Sequence, residues 1–300
     1  VLDHVLETLK TLPDPHNIEL INIVGYLGEQ IEAYMGERHP EIKARYVLQE
    51  NPRGQSHAIH LAREYLDGPM LMVFADTLIE TDLSFLENET AEAVVWVKQV
   101  PDPRRFGVAQ VGEDGWVQRM IEKPQDMKIN LAVVGFYYFQ NSQDLLSAIE
   151  EQMRRNLQLK GEFFLVDAVN IMLERGLRMR AEKVDVWLDA GTPEALLEMN
   201  RYLLENGRSN CRGDNSYPGS VIIPPVFIHP TAQVRNSIIG PHVSLGAGCL
   251  VETSIIHDSI LEDEACVEGA VLEGSLIGRR AQIHRRAATI NAGDQTTVTL

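Results

Sequence analysis

The chain has 300 residues, 44% of them apolar and 23% charged, a composition that suits a globular protein of one large domain or two ordinary ones. Its formal net charge of −16 opposes phosphate backbones and anionic lipid, which argues against nucleic-acid and membrane partners. No apolar run is long enough to span a bilayer and no secretory segment opens the chain, so the cytoplasm is the expected compartment; Cys211, Cys249 and Cys266 have no metal-ligand spacing.

Val1, Leu2, Val5, Leu6 and Leu9 fall on one face of an opening helix. Residues 18–24 read as a strand, 27–35 as the helix after it and 45–49 as a short strand. Residues 56–66 read as a helix that buries Ala58, Ile59, Leu61 and Ala62. Residues 70–74 form a continuous apolar run, as expected for a strand buried on both faces, and 91–100 and 132–139 look similar. Strands alternating with helices predict an α/β domain over residues 1–206, with a mostly parallel sheet, helices on both faces, and ligands beyond the carboxyl ends of the strands.

Residues 207–220, rich in Gly, Ser and Asn, read as a linker. Beyond it aliphatic residues recur every six positions: Ile228 to Val234, Ile239 to Leu245 to Val251, Leu261 to Val267, and Ile277 to Ile283. That period predicts a left-handed hexapeptide β-helix over residues 221–300, with on the order of four coils. The slip between Val234 and Ile239 predicts a tightened corner.

Several segments could carry chemistry. In Gln49-Glu50-Asn51-Pro52-Arg53-Gly54-Gln55-Ser56-His57-Ala58, Pro52 and Gly54 shape a turn that lets backbone approach a flat ring. The Gln49 amide can pair with a base edge as donor and acceptor, and the following helix aims its first N–H groups at an anion. Asp76 ends a buried strand, a position suited to Mg²⁺ or to capping a turn. Glu122 and Lys123, after the Arg105-Phe106-Gly107-Val108 segment, suit hydroxyls and a phosphate, or form a solvated surface pair. Val133 and Tyr137 share a strand face and Gly135 permits close backbone approach, as a plain core strand would also allow. In GEFFLVDAVN, Glu162 can bond a hydroxyl, while Asp167 suits either the same site or a helix cap.

The order and spacing of these segments, with Trp187-Leu188-Asp189-Ala190-Gly191-Thr192, resemble the sugar nucleotidyltransferases over the first 200 residues. In style the chain is similar to the glucose-1-phosphate thymidylyltransferase-like branch that carries a C-terminal β-helix. The resemblance implies a Rossmann-like domain that joins a nucleoside triphosphate to a sugar-1-phosphate and releases pyrophosphate. It implies Asp76 and Asp189 as Mg²⁺ ligands, Gln49, Pro52 and Gly54 at the base, and Lys123 on the sugar phosphate. Glu122 and Glu162 would hold sugar hydroxyls, with Gly107, Asn130, Val133, Gly135 and Tyr137 lining the sugar pocket. Thymidine with glucose-1-phosphate is the first choice of substrates, uridine the second, and guanosine with mannose the third.

Gln55-Ser56 replaces the family's Thr-Ala or Leu-Ala, and Ala75 replaces a glycine. The family's first strand, its G-x-G-x-R loop and its Pro-Lys-Pro segment have no counterpart between Val1 and Gly25, so one βα unit of roughly 30 residues is expected to be missing. Two other functions fit the pattern: a non-catalytic regulatory or scaffold subunit that binds nucleotide sugars, and an acyltransferase using His229, His242, His257 or His284. The expected role of the β-helix is to build a homo-oligomer or to regulate the first domain.

Overall fold

The computed structural model describes residues 1–210 and 217–285; Cys211, the middle of the 207–220 linker and the last residues of the expected β-helix lie outside the described residues. The chain divides into two compact units, residues 1–187 and 188–300.

The first unit is α/β, with helices on both faces of its main sheet. Helix α1 (Leu2–Leu9) buries Val5, Leu6 and Leu9. Strand β1 (Leu20–Val24), helix α2 (Gly28–Arg38) and strand β2 (Ala44–Leu48) follow, and β1 and β2 pair in parallel as a sheet of their own. Helix α3 (Gln55–Leu61) is shorter than the sequence pattern suggests, because a separate tight turn takes up residues 63–65. Strands β3 (Met70–Val73) and β4 (Thr77–Ile79) precede β5 (Ala93–Gln99), then the hairpin β6 (Gly107–Val111) and β7 (Val117–Glu122), then β8 (Leu131–Phe139). Helices α4 (Ser142–Arg154) and α5 (Leu165–Glu174) lead to β9 (Met179–Lys183).

The main sheet runs β7-β6-β8-β5-β9, with β3 also on β8. Its strands are mixed in direction: β5 and β9 are parallel, whereas β8 is antiparallel to β3, β5 and β6. Strand–helix alternation in the sequence does not register the β6–β7 hairpin, which turns the chain back on itself without a helix. Residues 93–97 of β5 are wholly buried, as a strand covered on both faces should be. Val95, Val97, Val133, Tyr137 and Phe139 pack under α3, α4 and α5. Trp96, Val134 and Phe136 point the other way, against Leu6, Leu9 and Met35. Strand β3 is only half-buried, unlike the expectation for residues 70–74, because β8 is its sole strand partner among the described residues.

The second unit opens with helix α6 (Pro193–Leu203), whose N-cap Thr192 accepts a hydrogen bond from the Ala195 N–H at 3.2 Å. Four levels of short strands then stack in three parallel columns, a left-handed β-helix. The hexad residues Ile228, Val234, Ile239, Leu245, Val251, Leu261 and Val267 all point inward and are at most 2% exposed. Val226 stacks on Val243 seventeen positions on, and Ile260 on Leu276 sixteen on. The corners are tightened by residues in left-handed conformation, such as Asn236 (φ 50°), Thr253 (φ 50°) and Gly269 (φ 67°).

At that corner a buried ladder of serines replaces strand pairing. Ser220, Ser237 and Ser254 accept from the N–H groups of Ser237, Ser254 and Ala270 at 3.1, 3.0 and 3.1 Å. Above the first level, Asn210 pairs with Ile228 through both ends of its side-chain amide, at 2.9 and 2.8 Å. Ser209 does the same to Val226 with its hydroxyl, at 2.8 and 3.1 Å. Helix α6 is tied to the coils by Arg201 on Asp258 and by Asn200, which accepts from the Ser244 hydroxyl at 2.6 Å.

Candidate functional site

Three segments of the first unit meet around residues 162–164. The first is the loop after β2. Gly54 adopts φ +93°, and a Cβ there would lie 2.5 Å from the Phe163 carbonyl oxygen, so only glycine allows this approach. Backbone bonds fix the contact: the Phe163 N–H donates to Arg53 O at 2.8 Å and the Ser56 N–H to Phe163 O at 3.1 Å. Gly54 therefore brings the loop against protein backbone, and the Ser56 N–H of the short helix α3 is already occupied rather than aimed at an anion. Gln49, at the end of β2, turns its Nε2 to Gly54 O at 3.3 Å and to His57 Nδ1 at 2.9 Å. Pro52 is exposed at the apex of the loop.

The second segment ends β7. Gly107 and Glu122 are cross-strand partners, and a Cβ on Gly107 would come within 3.1 Å of Glu122 Oε2. The Glu122 carboxyl is 17% exposed and its pKa is raised by burial, then by the nearby charges of Asp167 and Glu162, with Lys123 pulling it down. Lys123 Nζ lies 3.7 Å from Glu122 Oε1 and sits over the Phe164 ring at 5.0 Å. Lys123 itself has φ 47°, a conformation that costs an ordinary residue energy and is held here by its N–H bond to Phe106 O at 3.0 Å.

Helix α5 supplies the third segment. Asn170 clamps it to β7, accepting from the Met120 N–H at 2.9 Å and donating to Met120 O at 2.8 Å. Asp167 stands in the first turn of α5 and makes no capping bond; Phe164 is the N-cap residue. Burial raises its carboxyl pKa. Buried Tyr137 also belongs to this group: burial raises its phenol pKa, and the Glu122 charge adds to the effect.

Gln49, Gly54, Gly107, Glu122, Lys123, Tyr137 and Glu162 thus gather around the 162–164 strip. Val133 lies on the Tyr137 face of β8, inside the core. Gly135 (φ +84°) makes room for the Phe74 ring, since a Cβ would sit 2.5 Å from its Cδ2. It lies where the edge of β8 passes from β6 to β3. Asn130 stands just before β8, its carbonyl accepting from the Val100 N–H at 2.9 Å. Asp76, just past β3, is exposed and makes no hydrogen bond among the described residues. Asp189, in the second unit, accepts from the Gly191 N–H at 3.1 Å.

Sequence reasoning passes over His57 and Asn170 and leaves Asp167 open between the segment that shapes the sugar site and a helix cap. All three act through neighbours distant in the fold or across a turn, and only the SHA and DAVN spacings could have hinted at them. The histidines of the second unit each have a polar neighbour: His242 bonds Glu205 at 2.8 Å, His229 bonds Thr231 at 2.9 Å, His284 bonds Glu268 at 3.2 Å, and His257 lies 3.8 Å from Glu273. Cys249 is buried and Cys266 half-buried, both free.

The first unit is thus an α/β fold that gathers a carboxylate–lysine pair and a glutamine loop, and the second carries a β-helix. The chain belongs to the nucleotidyl transferase family, whose model matches residues 3–206. It is 29% identical to glucose-1-phosphate thymidylyltransferase of Streptomyces griseus, over 87% of this chain and 79% of that one. It is 29% identical to the low-salt glycan biosynthesis nucleotidyltransferase of Haloferax volcanii, over 94% of this chain and 85% of that one. It is 32% identical to the bifunctional protein GlmU of Methanocaldococcus jannaschii, over 71% and 49%. A Bacillus anthracis structure described as a candidate glucose-1-phosphate thymidylyltransferase, crystallised with sucrose, aligns with TM-score 0.56 and 25% identity over 67% of this chain and 81% of that one.

Proposed function

We propose that the chain transfers a nucleotidyl group from a nucleoside triphosphate to a sugar-1-phosphate, with dTTP and glucose-1-phosphate the first choice. The observation that carries this reading is the Glu122–Lys123 pair, a half-buried carboxylate and an ammonium held 3.7 Å apart over Phe164. The carboxylate suits sugar hydroxyls, and the ammonium suits the adjoining phosphate. An oxygen of the sugar phosphate attacks the α-phosphorus in line, the bond from that phosphorus to the β-phosphate bridge breaks, and pyrophosphate leaves with the electron pair. The attacking oxygen is already ionised, so no base is required, and the residues act by positioning and by charge. Lys123 aligns the nucleophile; Glu122 and Glu162 hold the sugar, in a pocket shaped by Gly107, Asn130, Val133, Gly135 and Tyr137; Gln49, Pro52 and Gly54 meet the base.

In the first unit Asp76 would hold Mg²⁺. The free, exposed Asp76 carboxylate is the hard oxygen donor that this ion takes, and among the described residues no cluster of three or more metal-binding side chains forms a cage. Bound Mg²⁺ would neutralise charge on the triphosphate. Triphosphate pools make the cytoplasm the working compartment. The test is pyrophosphate release across nucleoside triphosphates and sugar-1-phosphates, with Asp76→Asn and Lys123→Met as controls. Release that falls at least 100-fold in both variants is the expected result. Near-normal rates in both overturn the assignment, and nucleotide-sugar binding without any release favours a regulatory subunit.

Assembly through the β-helix is supported by one outward column. Val221, Ile238, Ile255 and Val271 stack on successive levels and are 56, 37, 42 and 60% exposed. Such a patch, on the order of 300 Å², matches the largest apolar patch a single protein usually exposes and could form the apolar centre of an interface burying about 800 Å² per partner. In sedimentation velocity the protein should run heavier than its 33.6 kDa chain, and Ile255→Arg should shift it to the monomer. A wild-type monomer at micromolar concentration refutes this.

A further inference from the structure

We infer that His57 is a positioning residue that locks the Gln49 amide as an acceptor-only reader, confining the site to bases with a ring N–H: thymine, uracil or guanine. The inference rests on the proposed role of Gln49 at the base and adds a selectivity to it.

The argument runs through hydrogen-bond polarity. Gly54 O can only accept, and its position is fixed because Gly54 is wedged against the Phe163 backbone. The Gln49 atom facing it at 3.3 Å is therefore the amide nitrogen. That nitrogen has a second hydrogen, which faces His57 Nδ1 at 2.9 Å. His57 must then offer a lone pair at Nδ1 and carry its hydrogen on Nε2. A protonated ring would set N–H against N–H. Turning the Gln49 amide over would satisfy His57 but set oxygen against oxygen at Gly54. The neutral ring is favoured by its surroundings: burial lowers the His57 pKa, and the charges of Arg53 and His60 lower it further.

With both amide hydrogens engaged, Gln49 has only Oε1 left for a ligand. An oxygen acceptor welcomes the ring N–H of thymine, uracil or guanine. Standing at the ring-nitrogen position, it sets two lone pairs against cytosine or adenine, whose exocyclic amine could meet it only if the base shifted in its pocket. A mismatch of that kind discriminates once the bound base shields the half-buried Gln49 from water. Neither hydrogen bond involves Lys123 or Glu122, so the selection is separable from the handling of the sugar.

The experiment is calorimetric titration of the full-length protein with dTTP, dCTP and 3-methyl-dTTP, whose ring nitrogen carries no hydrogen. Wild type should prefer dTTP to both others by at least tenfold. His57→Leu frees one amide hydrogen and should narrow the preference by at least threefold. His57→Asn, whose side-chain oxygen can stand in for Nδ1, should restore it, and thermal melting shows that both variants fold. Long-range proton–nitrogen correlation spectra of wild type should show hydrogen on Nε2 of His57.

Equal wild-type affinity for dTTP and dCTP, or hydrogen on Nδ1, overturns the inference. If Gln49→Ala keeps the wild-type preference, or nothing binds, the reading of Gln49 as the base contact fails. If Gln49→Ala loses the preference while His57→Leu keeps it, only the role of His57 fails.

Discussion

Replacing Gly54 by alanine isolates the contact on which the loop after β2 depends. The residue's φ of +93° with ψ 173° lies where a side chain costs about 1–3 kcal/mol. The new Cβ would also stand 2.5, 2.7 and 2.9 Å from the O, N and C atoms of Phe163, all backbone that cannot swing aside. The loop must retreat, losing the two backbone bonds between Arg53, Ser56 and Phe163, at about 1 kcal/mol each. Gly54→Ala should therefore cost about 3–5 kcal/mol and displace Gln49 from its carbonyl anchor. Urea denaturation followed by tryptophan fluorescence is a clean assay, since Trp96, Trp116 and Trp187 all lie in the first unit. Calorimetry with dTTP reads the second effect. A variant within about 0.5 kcal/mol of wild type would refute the claim that this approach requires glycine.

Glu122→Gln should raise the melting temperature at pH 8 while weakening sugar-1-phosphate binding. Burial, with Asp167 and Glu162, raises the folded pKa of Glu122, so its ionised form costs stability at high pH. That cost fades as the group protonates in both states, and the gap between variant and wild type should close below about pH 4. A gap that is absent at pH 8, or persists unchanged in acid, contradicts a Glu122 pKa raised by burial and by its acidic neighbours. Ser254→Ala removes a 2%-exposed hydroxyl that donates to Glu252 O at 2.8 Å and accepts from the Ala270 N–H at 3.1 Å. It should cost the second unit about 1–3 kcal/mol by calorimetry and leave the tryptophan transition in place; no change would show the ladder to be dispensable.

The β-helix was the most legible part of the chain, because each inward aliphatic is set by a short repeat. The slip after Val234 even marked the shortened coils. The α/β class was legible from alternation, and β5 and β8 from unbroken apolar runs. The β6–β7 hairpin was not, since its polar outer residues Gln118 and Arg119 break the apolar run that marks a strand. The site was legible as a set of motifs but not as a geometry. Nothing local in Gly54 says that its neighbour is Phe163, more than a hundred residues on. Nor does the spacing of Gln49 and His57 reveal that one exhausts the donors of the other. Asp167 reads as a cap by position, yet Phe164 takes the cap position and leaves the carboxyl in the company of Glu122.

The hydroxyl and amide of Ser209 and Asn210 occupy the backbone groups of Val226 and Ile228 that a further strand would need. Side chains can copy a strand's bonding pattern without offering another edge beyond it. The column that begins at Val226–Ile228 is thus finished, like a thread tied off at one end. A further strand could not add itself to that column there, which hinders end-on growth of the stack at that edge. The same knot gives the repeat a direction. A strand inserted ahead of Val226–Ile228 would have to displace Ser209 and Asn210 first. Drift in repeat number among relatives should therefore be rare at this end of the prism.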